Sequence, residues 1–328
     1  MIKTWLVTGG AGFIGSNYIT YLLETYPKDR VVCLDKLTYA GHLETMAPFL
    51  SHPRFAFVLG DITDADLVET LLKTRPIDAL INFAAESHVD RSLVDADPFY
   101  KTNVEGVKIL FSACERHGVH FHQISTDEVY GALSLDSTQA FREDSPLNPT
   151  SPYAKSKALA DMYLVAQGHK TGQAFTISRC SNNYGPYQFP EKLIPLMITK
   201  ALRDEPLPVY GDGKHVRDWL YVRDHCVAID LIVRQGRLGQ IYNVSANQEI
   251  DNLSLVKHLL ALLEKPETLI TFVADRQNHD RRYALDASRL NHDLYWQAEV
   301  GIDEGFKKTV EWYVAQEKWC ASVLRTDQ

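Results

Sequence analysis

The sequence has no paired cysteines, no basic excess, no unbroken apolar run of membrane length and no repeated or low-complexity tract. Each absence removes a class of protein. Its five cysteines (Cys33, Cys114, Cys180, Cys226 and Cys320) are odd in number and never spaced Cys-x-x-Cys. That speaks against a secreted disulfide framework or a zinc ribbon, and for a reduced, cytoplasmic chain. Lys and Arg total 34 against 42 Asp and Glu, a net charge of −8. Such a balance argues against nucleic acid or an anionic membrane as partner, while leaving room for an anionic small molecule held by a few arginines. Twenty uncharged residues do run from Thr4 to Leu23. Gly9, Gly10, Gly12 and Gly15 interrupt them, however, whereas a membrane span or leader is apolar throughout. The segment reads as a strand, a glycine turn and a helix.

What is there is ordinary in bulk: 328 residues, 45% apolar and 23% charged, enough for about two domains with a core that needs no disulfide or metal. Short, nearly continuous apolar runs at Thr4–Thr8, Arg30–Asp35, Phe55–Gly60, Ala79–Ala84, Phe121–Ser125 and Ala174–Arg179 alternate with helical patterns such as Ala65–Thr74 and Thr102–His117. Parallel strands covered on both faces read this way. The alternation predicts an α/β fold with a doubly wound parallel (Rossmann) sheet. Residues 180–217 are rich in Pro, Gly and Asn, and Gly239–Ser245 resembles a strand returning to the sheet. The predicted division is therefore discontinuous. Residues 1–179 and 218–245 form a dinucleotide-binding domain, and 180–217 with 246–328 form a smaller substrate domain.

Three patterns carry chemistry. Gly9, Gly12 and Gly15 stand between a strand and a helix, where they permit a tight turn, close approach to a pyrophosphate and close helix packing. The phosphates would meet a helix N-terminus. Asp35 follows Gly15 by twenty residues, at the end of the next strand, and its charge favours NAD over NADP, although Lys36 weakens that argument. Tyr153 and Lys157 lie four apart, on one face of a helix. There an ammonium would favour the phenolate and lower the tyrosine toward a usable base, although an exposed amphipathic helix has the same spacing. Thr126, Asp127 and Glu128 follow the strand Phe121–Ser125, at a carboxyl end where doubly wound sheets hold ligands. His117, His120 and His122 look like a metal cluster, but structural use is favoured, and no metal site is predicted.

Together with the strings DKLTYAG (Asp35–Gly41), AAESHVDRS (Ala84–Ser92), STDEVYG (Ser125–Gly131), SNNYGPYQFPEKLIP (Ser181–Pro195), RDWLYV (Arg217–Val222) and HDRRYALD (His279–Asp286), these patterns resemble the extended short-chain dehydrogenase/reductase family. Within it they resemble the nucleotide-sugar 4,6-dehydratases. The Thr-Asp-Glu run is the specific element, since related epimerases and decarboxylases usually lack it. The sequence departs from the family at His42, often Asn, and at Gln277-Asn278, often Pro-Gly.

The resemblance implies an NAD-dependent hydro-lyase acting on dTDP-glucose, with UDP-glucose or another NDP-hexose as the alternative substrate. A sugar-nucleotide epimerase or decarboxylase, or an NAD-sensing regulator, is the more distant alternative. It implies a cytoplasmic homodimer joined through paired helices. NAD would contact Gly9, Gly12, Phe13, Ile14, Gly15, Asp35, Lys36, Leu37, Thr38, Asp61, Ile62, Phe83, Ala84, Ala85, Thr102, Tyr153, Lys157 and Asn183. The sugar nucleotide would contact Ser87, Thr126, Asn182, Lys192, Leu193, Pro208, Val209, Tyr210, Arg217, Asn252 and His279. Arg217 also makes sense alone, because a diphosphate suits a permanently charged, forked donor. A surface ion pair with Asp218 is the plainer reading. Catalysis would fall to Thr126, Asp127, Glu128, Tyr153 and Lys157. Tyr153 serves as base for the 4-hydroxyl, Glu128 as base at C5 and Asp127 as acid for the departing 6-hydroxyl, an arrangement that needs two carboxyls of different pKa.

Overall fold

Seven apolar runs become the strands of one parallel sheet: β1 (Thr4–Thr8), β2 (Arg30–Asp35), β3 (Phe55–Leu59), β4 (Ala79–Asn82), β5 (His120–Thr126), β6 (Phe175–Cys180) and, after a long excursion, a strand at Ile241–Val244. In the computed structural model, which describes residues 3–275 and 279–325, the sheet order is 3-2-1-4-5-6 with Ile241–Val244 paired beyond β6. This is the doubly wound order expected of a dinucleotide-binding sheet. Side chains alternate across β1. Trp5 and Val7 join a core with Tyr18, Ile19 and Ile81 on one face. Leu6 joins Leu80, Phe111, Phe121 and Phe175 on the other. The expected strand Ala79–Ala84 stops at Asn82, because Phe83, Ala84 and Ala85 leave the ladder to line the cleft at its carboxyl end.

Local sequence sets the helix bounds. Asp64 caps Ala65–Thr74 by accepting the Leu67 N–H at 3.0 Å. Ser151 caps Pro152–Thr171 through the Ala154 N–H at 3.0 Å, with Pro152 in the first turn and Gly172 at φ +76° after the last. The helical stretch expected over Thr102–His117 is α-helical only from Val107. Lys101–Gly106 is a π-helical turn that continues the short helix Asp97–Tyr100. Its Asn103 side chain accepts the Glu86 N–H (2.9 Å) and donates to the Glu86 carbonyl (3.0 Å) and Ser156 Oγ (2.9 Å).

Beyond Cys180 the chain leaves the sheet. β7 (Asn182–Tyr184), β9 (Val216–Tyr221) and β11 (Glu249–Asp251) form a three-stranded sheet, while β8 (Leu207–Tyr210) pairs with β12 (Ile270–Val273); the returning strand Ile241–Val244 is β10. A separate core unites Tyr184, Phe189, Met197, Trp219, Leu255 and Phe306. Within the Pro-rich stretch 180–217 the structure adds a helix, Leu193–Leu202, with Pro195 in its first turn, where a missing N–H leaves no intrahelical bond unmade. The helix Val222–Gln235 returns to the large sheet through Cys226, Ile229 and Val233. Among the described residues, no helix is long and apolar enough to cross a membrane. Gln277-Asn278 lies outside the described residues.

Candidate active site

The carboxyl ends of β1, β2, β4, β5 and β6 open into one cleft enclosing about 320 Å³, within the range of ligand sites. Its floor is the glycine turn. Gly9 adopts φ +70°, and a Cβ there would lie 2.5 Å from the Ala84 nitrogen. A Cβ on Gly15 would lie 2.4 Å from the Gly9 carbonyl oxygen, so the helix Phe13–Thr25 could not seat against the turn. No side chain caps that helix, and its first N–H groups are available to an anion. Asp35 ends β2 and accepts the N–H of Ala11 (2.9 Å) and of Leu37 (2.8 Å). Burial raises its pKa above the ordinary carboxyl value.

The residues fit NAD. Gly12, Phe13, Ile14, Lys36, Thr38, Asp61, Ile62, Phe83, Ala84, Ala85, Thr102 and Asn183 line the cleft with Gly9, Gly15 and Asp35. Leu37 packs behind it in the core. Lys36 does not offer a lone cation to a 2′-phosphate, because its Nζ lies 3.4 Å from Asp61 and 3.9 Å from Glu86. Two carboxylates around that ammonium, with Asp35 at the end of β2, favour a free ribose hydroxyl.

The other end of the cleft holds the reactive side chains. β5 ends at Thr126, and a 3₁₀ turn carries Asp127 to Tyr130. Gly131 closes it at φ +86°, where a Cβ would meet the Asn148 carbonyl oxygen at 2.5 Å. Thr126 Oγ1 donates to Asp127 Oδ1 at 3.0 Å and accepts the Glu128 N–H at 3.3 Å. Asp127 Oδ2 is buried without a partner among the described residues. Burial, reinforced by the charge of Glu128, pushes the Asp127 carboxyl up to about 8. It is therefore an acid at neutral pH. Tyr153 and Lys157 line the same cleft from the helix Pro152–Thr171.

Lys157 donates to the Ile124 carbonyl at 2.6 Å, and burial brings its ammonium down to about 8. The phenol of Tyr153 is not lowered, contrary to the expectation from its spacing to Lys157. Burial first, then Glu128, raise it well above its ordinary value. Desolvation of the phenolate outweighs whatever the ammonium contributes.

Ser87, Asn182 and Lys192 also line the cleft, with Lys192 Nζ donating to the Ser87 carbonyl at 3.2 Å. Leu193, Pro208, Val209, Tyr210, Arg217, Asn252 and His279 lie beyond its lining, in the smaller lobe. Val209 is buried in that lobe's core. Arg217 makes no ion pair with Asp218. Its guanidinium donates to the carbonyls of Val216 (2.8 Å) and Asp280 (2.9 Å) and lies over Tyr283. Asp218 instead accepts from Ser245 Oγ and the Gln248 N–H.

His279 Nδ1 lies 2.7 Å from Asp275, and its ring stacks on His215 at 3.7 Å. These three residues bring ligand-type atoms within 4.8 Å of one another. Near-parallel rings direct their nitrogens side by side rather than at one point, and Arg281 Nη1 stands 3.4 Å from His215 Nε2. His117 pairs with Glu69 at 2.7 Å, while His120 and His122 both meet Thr176. Those three do not converge.

Glu86, Tyr39, Cys180, Gln188 and Glu191 line the cleft as well. Sequence reasoning gave them no role, although Tyr39, Glu86, Gln188 and Glu191 fall inside three of the strings that carry the resemblance. Glu191 meets His88 at 3.3 Å.

A doubly wound sheet with this glycine turn, a tyrosine and lysine on one helix and two carboxyls at the end of β5 defines an extended short-chain dehydrogenase/reductase. A family model described as GDP-mannose 4,6 dehydratase matches residues 6–309. The dTDP-glucose 4,6-dehydratase of Xanthomonas campestris pv. campestris (strain B100) is 48% identical over 343 residues, covering 98% of this chain and 96% of its own. Among solved structures, the dTDP-glucose 4,6-dehydratase of Streptomyces venezuelae, bound to NAD and dTDP, superposes with a TM-score of 0.94 at 44% identity, covering 98% of this chain and 99% of its own. That of Bacillus anthracis str. Ames, in complex with NAD, gives 0.92 at 43% identity, with 98% and 99% covered. The chain belongs to the dTDP-glucose 4,6-dehydratase family.

Proposed function

We propose that this protein is an NAD-dependent hydro-lyase that converts dTDP-glucose to dTDP-4-keto-6-deoxy-glucose. The observation that carries this reading is Asp127, a buried carboxyl raised to about 8 beside Glu128. Elimination of water across C5 and C6 needs an acid and a base together, and a 4-epimerase or decarboxylase has no use for the pair.

When bound, NAD would supply the hydride acceptor for sugar C4 and, once reduced, the hydride donor for C6, so none would be consumed. Gly9, Gly12 and Gly15 with the following N–H groups hold the pyrophosphate, and Asp35 holds the adenosine ribose. Asn183, Thr102, Tyr153 and Lys157 enclose the other end. Tyr153 takes the proton of the 4-hydroxyl, the positive charges of the Lys157 ammonium and of NAD when bound opposing the burial and the Glu128 charge that raise its phenol, while Thr126 hydrogen-bonds the same hydroxyl. The 4-keto group acidifies C5, whose proton passes to Glu128. Asp127 donates its proton to the departing 6-hydroxyl, which leaves as water; C5 regains a proton from Glu128 as hydride reaches C6, and the proton taken up by Tyr153 replaces, through solvent, the one Asp127 gave. Ser87, Asn182 and Lys192 hold the hexose. Arg217, Asn252, His279 and the β8 segment Pro208–Tyr210, with Leu193, hold the nucleoside diphosphate. Residues 1–179 and 218–245 form the cofactor domain, from which Ser87 and Thr126 to Glu128 reach the hexose, and 180–217 with 246–328 form the substrate domain, from which Asn183 reaches the cofactor.

The assembly is a cytoplasmic homodimer. Leu159 and Met162 are exposed on the helix Pro152–Thr171, with Leu93 and Val94 exposed on the contacting helix Val89–Val94, an apolar strip suited to pairing with a second copy. All five cysteines are buried free thiols, which supports a reducing compartment. The deciding experiment is mass spectrometry of products from dTDP-glucose and UDP-glucose. Loss of water from dTDP-glucose, with a lower kcat/KM for UDP-glucose, is the expected result. Epimerised hexose without loss of water would overturn the reading.

A further inference from the structure

The turn bearing Asp127 and Glu128 and the helix bearing Tyr153 and Lys157 are separate elements, yet one substrate ring must reach all four. A buried ion pair lies between them. Arg179, on β6 and 2% exposed, donates through Nε to Asp161 Oδ2 at 2.8 Å and through Nη1 to the Tyr130 hydroxyl at 2.9 Å. Asp161, fully buried, sits four residues beyond Lys157 on the same helix, and its Oδ2 also accepts from Ser125 Oγ at 2.9 Å. Ser125 stands one residue before Thr126, which caps the reactive turn, and Tyr130 ends it. The Tyr130 hydroxyl in turn donates to Asn243 Oδ1 at 2.8 Å. One carboxylate and one guanidinium therefore tie both ends of the turn to the helix.

A buried ion pair is a poor stabiliser compared with apolar packing of the same volume. Its usefulness here is geometric. We propose that Asp161 is a positioning residue, which with Arg179 forms a brace fixing the turn Asp127–Tyr130 against the helix that carries Tyr153 and Lys157. The inference rests on the catalytic roles proposed above for those residues. The charged and titratable groups acting on Lys157 are Asp161 from its own helix and Cys180 from β6. Those acting on Tyr153 are Glu128 and Asp127 from the turn, and Cys180. Asp161 opposes the lowering of Lys157 by burial, so the brace also sustains the ammonium.

The test is Asp161→Asn, assayed as the full-length protein with its NAD content measured. Because that change leaves Arg179 buried and unpaired, Asp161→Asn/Arg179→Gln is made beside it, with Asp161→Glu as the conservative rescue. The brace predicts a fall in kcat of about 10–100-fold with KM little changed, the loss expected from misplacing reacting groups by a fraction of an ångström. It also predicts that the alkaline limb of C4 oxidation, read at the NADH band, moves to lower pH by about one unit, since an opposite charge is removed from beside Lys157. Asp161→Glu should restore the limb. Tyr130→Phe should lower kcat without moving it.

A folded variant with a lower Tm but wild-type kcat and pH profile would overturn the brace and leave an ordinary structural ion pair. Tyr153→Phe and Lys157→Met are run in parallel. Full turnover in those controls would instead overturn the catalytic assignment on which the brace depends.

Discussion

Raising the pH should separate elimination from oxidation within a single turnover. Asp127 is 3% exposed and held at about 8 by burial and by Glu128. At pH 7 roughly nine carboxyls in ten then carry the proton, and at pH 9 roughly one in ten. The water-loss step should fall toward tenfold per unit above pH 8. Lys157 also titrates near 8, but it acts on C4 oxidation, so its effect is read from the rise in absorbance at the NADH band. Loss of the C5 hydrogen and formation of the dehydrated product are read by rapid quench and mass spectrometry. In Asp127→Asn the elimination should be about 10²–10⁴-fold slower at every pH, leaving only the Lys157 limb. The same proton gives a stability signature. The folded Asp127 is raised, so its contribution is fully present below the ordinary carboxyl range and is gone once the pH passes about 8. Across that window it falls by about 1.4 kcal/mol per unit, and Asp127→Asn should flatten the slope. Elimination that stays constant from pH 6.5 to 9 in the wild-type chain would refute Asp127 as the acid.

Tyr153→Phe should abolish the NADH-band transient itself, about 10²–10⁴-fold, whereas Glu128→Gln should keep the transient and lose exchange of the C5 hydrogen with solvent deuterium. Gly9→Ala forces a Cβ to 2.5 Å from the Ala84 nitrogen at a positive φ. The purified variant should release little or no NAD on denaturation, unlike the wild-type chain. Arg217→Lys keeps the charge but cannot reproduce the forked bonds to Val216 and Asp280. KM for dTDP-glucose should rise about tenfold with NAD content unchanged, as measured by steady-state kinetics and dinucleotide release.

The cofactor half of the molecule was legible because its signals are local. Thr4–Thr8 and Arg30–Asp35 are strands with the bounds their apolar runs predict, and the glycine turn lies between β1 and its helix as the spacing requires. The substrate half was less legible. The guanidinium of Arg217 is bound to carbonyls of residues 280 and 281, more than sixty positions away, and no periodicity announces such a contact. Pro195 concealed the helix Leu193–Leu202, since a proline in a first turn and one in a loop look alike in sequence. Nor could spacing foresee the ionisation of Tyr153. Four residues on a helix say that Lys157 is near, but not that burial and Glu128 outweigh it. Asp161 was overlooked for the same reason, being a single acid in a helix whose partners lie on two other elements.

The π-helical turn at Lys101–Gly106 has a consequence for how this chain tolerates insertions and deletions. Upstream of it, Thr102 must face the cleft and Asn103 must reach Glu86 and Ser156; downstream, Leu110 and Phe111 must face the sheet. A regular α-helix advances 100° per residue, so one rotation could not serve both sets. The wider turn absorbs the misfit as a single-residue phase correction. Removing one residue between 101 and 106 would restore ideal helical hydrogen bonding and give a locally better helix. It would also rotate either the cofactor wall or the packing face by about a quarter turn, so improving the local geometry here would damage the protein.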